Sequence, residues 1–402
     1  MPPPNKQASI TVGTRPSERN NIEQHSIFNP FWETDVKEQE QIGTLRLVFG
    51  SLMHGEGGGY GVVGLRLAQA LKEQPGVELC GRFDLDWDYR VIVAVAYNWV
   101  IGPTFCPDLI WHTMVECKPL PPMLIPLYRL ARYLWVPSEA VKETMLEAGV
   151  DTPILVSGYG IDPRQYPFID RENPDIRGDR PYRFFTWTDN LPTRKGIDDV
   201  MRVFHKLNLP NCELMVKTSQ DKILYKTENP NIRFVQGHLL GYELVQLMGR
   251  CDAMVYPSKG EGFGLMPLEA MATGLCTIAP QASGMAEFVR PRHNLVIPVI
   301  GTEKVITSSA AYEYAQYGLK LDLDTMADQM RWCYDHRHDA YLMGKRASEY
   351  VHNNWTWALA GQRAAEMLRP LGSWRDIPLA VVPETPASTK YAGWTANKIT
   401  KE

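Results

Sequence analysis

The sequence predicts an α/β fold made of two parallel-sheet halves, and three observations lead there. A strand, a glycine-rich loop, a short helix and a second strand follow one another in YPSKGEGFGLMPLEAMATGLCTIA, which runs from Tyr256 to Ala279. The order strand, glycine loop, helix occurs once more near the start, in Leu45-Arg46-Leu47-Val48-Phe49 followed by Gly55-Glu56-Gly57-Gly58-Gly59-Tyr60-Gly61. The chain has 402 residues, enough for two domains that each bury a core. Strands alternating with helical patterns are the mark of parallel βαβ units.

Composition narrows the class. A hydrophobic share of 44% with 22% charged residues is that of an ordinary globular protein. The net charge of −4 gives no broad attraction to nucleic acid or an anionic membrane, and no clear nucleic-acid patch stands out. Seven scattered cysteines, an odd count without a C-x-x-C pair, read as reduced thiols in a cytoplasmic protein. The polar N-terminus lacks a signal pattern, and the longest apolar run, over 91–102, is too short and interrupted to span a bilayer. The chain therefore reads as soluble. No metal site is expected, and nothing in the sequence speaks to oligomeric state.

Residues 1–41 read as a polar extension in which Phe28, Phe31 and Trp32 are the candidate anchors. The first domain is expected over 42–165. After its glycine loop, Val63, Leu67 and Leu71 carry a helical period. Strands follow over 77–80, 91–96 and 109–111. The last ends in Ile110-Trp111-His112-Thr113, which puts His112 at the carboxyl end of a strand, where open α/β sheets bind ligands. A purely structural histidine reads equally well there. Glu116 is a secondary candidate in the same loop. Pro119, Pro121 and Pro122 break the chain before a helix expected over 124–133, with Arg129 and Arg132 on a solvated face. A strand over 134–136, a helix over 139–148 and a strand over 154–156 lead to Gly158-Tyr159-Gly160-Ile161-Asp162.

A polar, proline-bearing connection occupies 163–181, with the linker itself at 166–181, and the second domain is expected over 182–355. It opens with a strand over 182–187. Thr193-Arg194-Lys195-Gly196 leads into a helix whose Ile197, Val200, Met201, Phe204 and Leu207 share one face. Strands over 214–217 and 232–235 follow, the latter ending in the loop Gln236-Gly237-His238.

In the long stretch from Tyr256, Pro257 and Ser258 stop a strand. Gly260, Gly262 and Gly264 make a loop, a helix starts near Pro267, and Gly274 suits its C-terminal end. Loop amides and the positive helix end make a seat for an anion such as a diphosphate. Glu261 lies in the loop. Glu269 lies on the helix beside the apolar stripe of Leu265, Leu268 and Ala272, so it needs partners. It either caps its own helix or accepts hydrogen bonds from ligand hydroxyls. Residues 294–320 read as an insertion without a clear role, and a helix is expected over 324–334. A last helix is placed in 356–374, and 375–402 reads as a loose tail.

Two glutamates with seven residues between them, Gly262-Phe263-Gly264 inside and EAMATG after, resemble the donor-site motif of family-4 retaining glycosyltransferases. Gly284-Met285-Ala286-Glu287 resembles that family's Gly-Gly-x-Pro-Glu turn, with Met285 and Ala286 departing from it. The resemblance covers roughly residues 45–367 and implies the GT-B architecture, two Rossmann-like domains facing across a cleft. It implies transfer of a sugar from a nucleotide-diphosphate sugar, such as a UDP or GDP sugar, to an acceptor hydroxyl, with no bound cofactor and no metal. The acceptor class stays open among saccharide, lipid-linked sugar, small molecule and modified biopolymer.

By the same resemblance, Gly58 and Gly59 admit the donor phosphates and Lys195 contacts the diphosphate. Gly262, Phe263, Gly264 and Leu265 form the donor loop, Glu261 holds sugar hydroxyls, and Glu269 holds the ribose. Gln236 and His238 lie in the base-reading loop, and His112 completes the sugar pocket. The final helix crosses back to the first domain. The family also places an arginine upstream of the lysine, where this chain reads Thr188-Asp189-Asn190, so either Arg194 replaces it or the phosphate clamp differs. An epimerase on the same fold and a decayed sugar-nucleotide binder are the competing classes.

Overall fold

The structure is a computed structural model describing residues 44–51, 59–81, 84, 86–94, 106–188, 192–218, 227–237, 239, 241–305 and 316–376. The expected extension over 1–41 and most of the tail lie outside the described residues, as do Gly58 and His238.

The first half contains β1 (Leu45–Ser51), α1 (Gly59–Lys72), β2 (Val77–Cys80), β3 (Tyr89–Val93), β4 (Cys106–His112), α2 (Leu124–Tyr128), β5 (Ala131–Val136), α3 (Glu139–Glu147) and β6 (Ile154–Val156). Its strands form one parallel sheet in the order β2-β1-β3-β4-β5-β6. The helix expected over 124–133 stops at Tyr128, and Arg132 lies on β5 instead. β5 pairs with β4 on one side and β6 on the other, and two ladders outweigh the helical propensity of a short segment. The strand expected over 91–96 begins two residues earlier, at Tyr89, and that over 109–111 extends back to Cys106.

The second half contains α4 (Pro174–Arg177), β7 (Tyr182–Thr188), α5 (Pro192–Lys195), α6 (Ile197–Leu207), β8 (Cys212–Thr218), β9 (Ile232–Val235), α7 (Tyr242–Gly249), β10 (Ala253–Val255), α8 (Leu265–Ala272), β11 (Cys276–Ala279) and β12 (Leu295–Val296). Its parallel sheet runs β12-β11-β10-β7-β8-β9. α8 begins at Leu265, two residues before Pro267. It closes with Gly274 N donating to Met271 O and Leu275 N to Ala270 O, at 2.9 and 3.1 Å. The chain ends its described part with the antiparallel hairpin β13 (Val299–Val305) and β14 (Gln316–Leu321), then α9 (Leu323–Asp335), α10 (Arg337–Asn354) and α11 (Trp357–Leu368).

These are two Rossmann-like sheets, and buried packing is continuous between them. One cluster runs from Leu47 and Val91 through Tyr159 and Phe263 to Leu268 and Val351. The connection over 163–181 is fastened to the second half by Arg171, which is buried and donates to the carbonyls of Cys251 (2.7 Å), Met248 (3.1 Å) and Thr273. α11 packs on α1 of the first half. A Cβ at Gly361 would lie 2.5 Å from Ala70 O, so the two helix backbones can only meet at a glycine.

Candidate functional site

The second sheet begins at β7, steps outward to β8 and β9, and then returns to β10 on the other side of β7. The strand order therefore reverses between β7 and β10, and the crevice beyond the carboxyl ends at such a reversal is where open α/β sheets hold ligands. Trp187 near the end of β7 and Tyr256 just after β10 mark that point. The Lys195 ammonium lies 5.1 Å from the Trp187 ring centroid and 5.4 Å from that of Tyr256. Gly196 puts it there. This residue separates α5 from α6 with φ of +70°, and a Cβ on it would lie 2.4 Å from Pro257 O.

Glu261 receives Lys195 Nζ at 2.5 Å, Ser258 Oγ at 2.6 Å and Tyr256 Oη at 2.9 Å, and Arg194 stands at 3.6 Å. All four reach Oε1. Among the described residues no hydrogen bond or ion pair reaches Oε2. Burial alone would raise the Glu261 carboxyl, but the charges of Lys195 and Arg194 and the Lys195 and Ser258 bonds hold it down at about 2. Glu261 is ionised at neutral pH and rigidly placed.

Arg194 donates to Gly260 O at 2.8 Å and reaches Glu116 of the first half at 3.6 Å. The same loop is pressed against the first half elsewhere. A Cβ at Gly260 would lie 2.1 Å from Glu116 O. Ser138 Oγ donates to Gly262 O at 2.7 Å, and Glu287 accepts from Glu139 N, at the first turn of α3, at 2.9 Å. Residues 294–320, read as an insertion, contribute the hairpin β13–β14, which ties both sides. Lys118 and Tyr317 exchange backbone bonds of 3.1 and 2.6 Å, and Leu319 N donates to Lys259 O at 2.7 Å. Lys259 Nζ joins Asp199 of α6 (2.8 Å) to Glu303 of β13 (2.6 Å).

Glu269 has different company. Burial raises its carboxyl to about 8, and a hydrogen bond from Tyr166 and the charge of Arg66 on α1 oppose that only in part. Arg66 itself is tied to Gln165 at 2.6 Å and to Asp162 at 3.5 Å. Thus Lys195, Arg194 and Glu261 come together directly, whereas Glu269 is met from the interdomain turn and the first half.

His112 is fully buried, with Nδ1 at 2.7 Å from Trp135 O and Nε2 at 2.9 Å from Tyr159 Oη. Burial lowers its pKa to about 4 against the Trp135 bond, so it is neutral. Both ring nitrogens are spent on the protein. Its link to the loop is indirect, through Tyr159, whose ring lies 4.9 Å from that of Phe263. Phe263 is buried, Gly264 caps α8, and Leu265 is its first residue. Gly59 opens α1. Gln236 is exposed after β9. Tyr256, Ser258, Tyr166 and Arg66 escaped the sequence reading. Tyr256 and Ser258 carried a usable signal, polar groups at a strand's carboxyl end, while Tyr166 and Arg66 are far from Glu269 in sequence. Among the described residues no group of three or more His, Cys, Asp or Glu could hold a metal ion, and no helix is long and apolar enough to cross a membrane.

Residues 170–304 match the family model described as glycosyl transferases group 1. Among curated proteins, the sulfoquinovosyl transferase of Arabidopsis thaliana is 24% identical over 221 residues, covering 54% of this chain and 43% of that one. A glycogen synthase of Mycobacterium tuberculosis is 32% identical over 145 residues, 34% of each chain. The chain thus aligns with less than half the length of these relatives. Among solved structures, HepE of Anabaena, in complex with UDP and glucose, superposes with a TM-score of 0.58 at 14% identity, over 81% of this chain and 100% of that one. A sucrose-phosphate synthase from Thermosynechococcus elongatus gives 0.57 at 14% identity, over 82% and 99%. The fold they share is the two-sheet GT-B architecture.

Proposed function

We infer, from the match of residues 170–304 to the glycosyl transferases group 1 model, that the chain moves a sugar from a nucleotide-diphosphate sugar to an acceptor hydroxyl, with retention at the anomeric carbon. The observation that carries this reading is the Glu261 carboxylate, fixed through Oε1 by Lys195, Ser258 and Tyr256 at the strand-order reversal, with Oε2 open. Oε2 accepts from donor-sugar hydroxyls. Lys195 shares its charge with the departing diphosphate, aided by the loop amides and the N-terminal end of α8. Glu269 accepts from the ribose. The bond from the anomeric carbon to the diphosphate oxygen breaks, a bond to the acceptor oxygen forms on the same face, and the acceptor proton passes to the leaving phosphate. His112 supports the sugar pocket from beneath, through Tyr159 and Phe263, rather than as an acid or base. The seven cysteines are free thiols, which supports the cytoplasm as the compartment.

The test is a thermal-shift panel of UDP, GDP, ADP and dTDP with their sugars, followed by transfer assays with the donor that binds. A ligand present at 100 times its Kd stabilises the folded state by about 2.7 kcal/mol, a shift of several degrees. No shift with any of them would overturn the reading. Turnover of the donor sugar without any acceptor would point to an epimerase, and binding without turnover to a decayed site.

A further inference from the structure

We propose that Lys217 is a second phosphate-binding cation of the nucleotide site, contributed by β8 and donating to the nucleotide's phosphate; this rests on the donor reading above.

Position comes first. β7 and β8 pair in register with Trp187 opposite Lys217 and Phe185 opposite Met215. Residues level with each other in a parallel pair share a face, and alternate residues change face. Phe184, Leu214 and Val216 pack into one buried cluster. Phe185, Met215 and Trp187 pack into the other, with Tyr256 and Leu268. Lys217 therefore lies on the Trp187 side, near the carboxyl end of β8, one strand from the reversal. Trp187 thus carries Lys195 over its ring and stands opposite Lys217 in the strand register.

The chemistry of Lys217 is unlike that of the other buried cations. Only 2% of the residue is exposed. Its ammonium donates to Thr218 O at 2.9 Å and to Gly237 O at 2.5 Å, and among the described residues no carboxylate touches it. Lys195 and Arg194 face Glu261, and the half-buried Lys259 has Asp199 and Glu303. Arg171 is likewise held by carbonyls, but its guanidinium is spread over Cys251, Met248, Ile169 and Thr273. Lys217 has three N–H groups and uses two. Burial pulls its pKa below that of an ordinary lysine, with no charge to oppose it. A buried ammonium short of one bond and of a counter-charge is matched by an anion, and a phosphate supplies both.

Because Lys217 also fastens the Gly237 loop to β8, a pure staple is the competing explanation, and the experiment separates the two. Wild type, Lys217→Met and Lys217→Arg are titrated with UDP and uridine, or with the corresponding pair for whichever base the wild type binds. Methionine keeps the volume and removes the charge. The expected result is an affinity for the diphosphate about tenfold weaker in Lys217→Met, a nucleoside affinity within twofold of wild type, a shallower salt dependence, and partial recovery in Lys217→Arg. Equal losses for nucleoside and diphosphate would make Lys217 a staple of the loop, and no loss for either would remove it from the site; both outcomes overturn the proposal. Should Lys217→Met not fold, Lys217→Gln gives the same readout. Failure of the wild type to bind any diphosphate would instead refute the donor reading beneath it.

Discussion

Glu261 is met by Lys195, Ser258 and Tyr256 within 2.9 Å, and its carboxyl is held near 2. Glu269, on the helix that follows, has one tyrosine hydrogen bond and a more distant arginine, and its carboxyl rises to about 8. Both acids come from one continuous motif, Glu261 buried and Glu269 partly exposed. What differs is the number of cations and donors that the fold brings to each. At pH 7 the first is a carboxylate and the second keeps its proton; under the proposed function, the second would lose that proton to accept fully from a ribose. Spacing along the chain thus places two like groups, and tertiary neighbours make them unlike.

Removing the cation from the Glu261 nest is the harshest way to break this contrast. Lys195→Ala leaves Glu261 buried with Arg194 at 3.6 Å as its remaining cation. A loss of about 3 kcal/mol in folding stability is expected, with transfer reduced about 100-fold or more. Chemical denaturation and kcat/KM measure the two. Lys195→Arg should regain part of both. A folded Lys195→Ala protein with unchanged nucleoside diphosphate affinity would remove Lys195 from the site.

The next largest effect concerns protons. The folded value of Glu269 is raised, so the folded protein keeps a proton that the unfolded chain gives up near pH ~4.3. Its stabilising share is present below that pH and lost as pH rises toward about 8. Glu261 is the reverse, since its share is present above the ordinary carboxyl value and lost as pH falls toward about 2. Relative to wild type, Glu269→Gln should therefore gain at least about 1 kcal/mol between pH 5 and 8. Nucleotide binding at pH 7 should release a proton in the wild type and none in Glu269→Gln. Titration in buffers of different ionisation enthalpy reads this directly, and equal proton release by both proteins would sink the assignment.

Arg194→Ala should act less strongly, because its guanidinium donates to Gly260 O and stands 3.6 Å from both Glu116 and Glu261, whereas Lys195 bonds Glu261 directly. A rise in donor KM worth about 1–2 kcal/mol, with a smaller change in kcat, is expected. A kcat loss as large as that of Lys195→Ala would make Arg194 a direct diphosphate ligand. The smallest effect belongs to Glu303→Gln. It removes one of two carboxylates from Lys259 while Asp199 remains, and less than about 1 kcal/mol of stability should go with it.

Much of this site was readable in the chain. Glycines around Glu261, the Lys195-Gly196 step and the two spaced glutamates are each local patterns, and the pairing of β7 with β10 brings the lysine to Glu261 across 66 residues. Tyr166 and Arg66 were not readable, because they reach Glu269 only once the interdomain turn and α1 are packed. His112 was placed correctly at a strand's end, but sequence position does not reveal that Trp135 and Tyr159 occupy its ring nitrogens. The helix expected over 124–133 failed for a related reason, since the demand of β4 and β6 for a strand between them is invisible in the segment itself. The antiparallel pair β13–β14 had no motif to announce it, and its meaning lies in the backbone bonds to Lys118 and Lys259.

The division of labour between the two glutamates is tested most directly by calorimetric titration of Glu261→Gln and Glu269→Gln with one nucleoside diphosphate and its sugar conjugate. Glu269→Gln should weaken both ligands alike, by about tenfold or more. Glu261→Gln should leave the free diphosphate nearly untouched, weaken the sugar conjugate and lower transfer. Equal loss of the free diphosphate in both variants would contradict the division, and no loss in either would make the glutamates structural and remove the support for a sugar-nucleotide site.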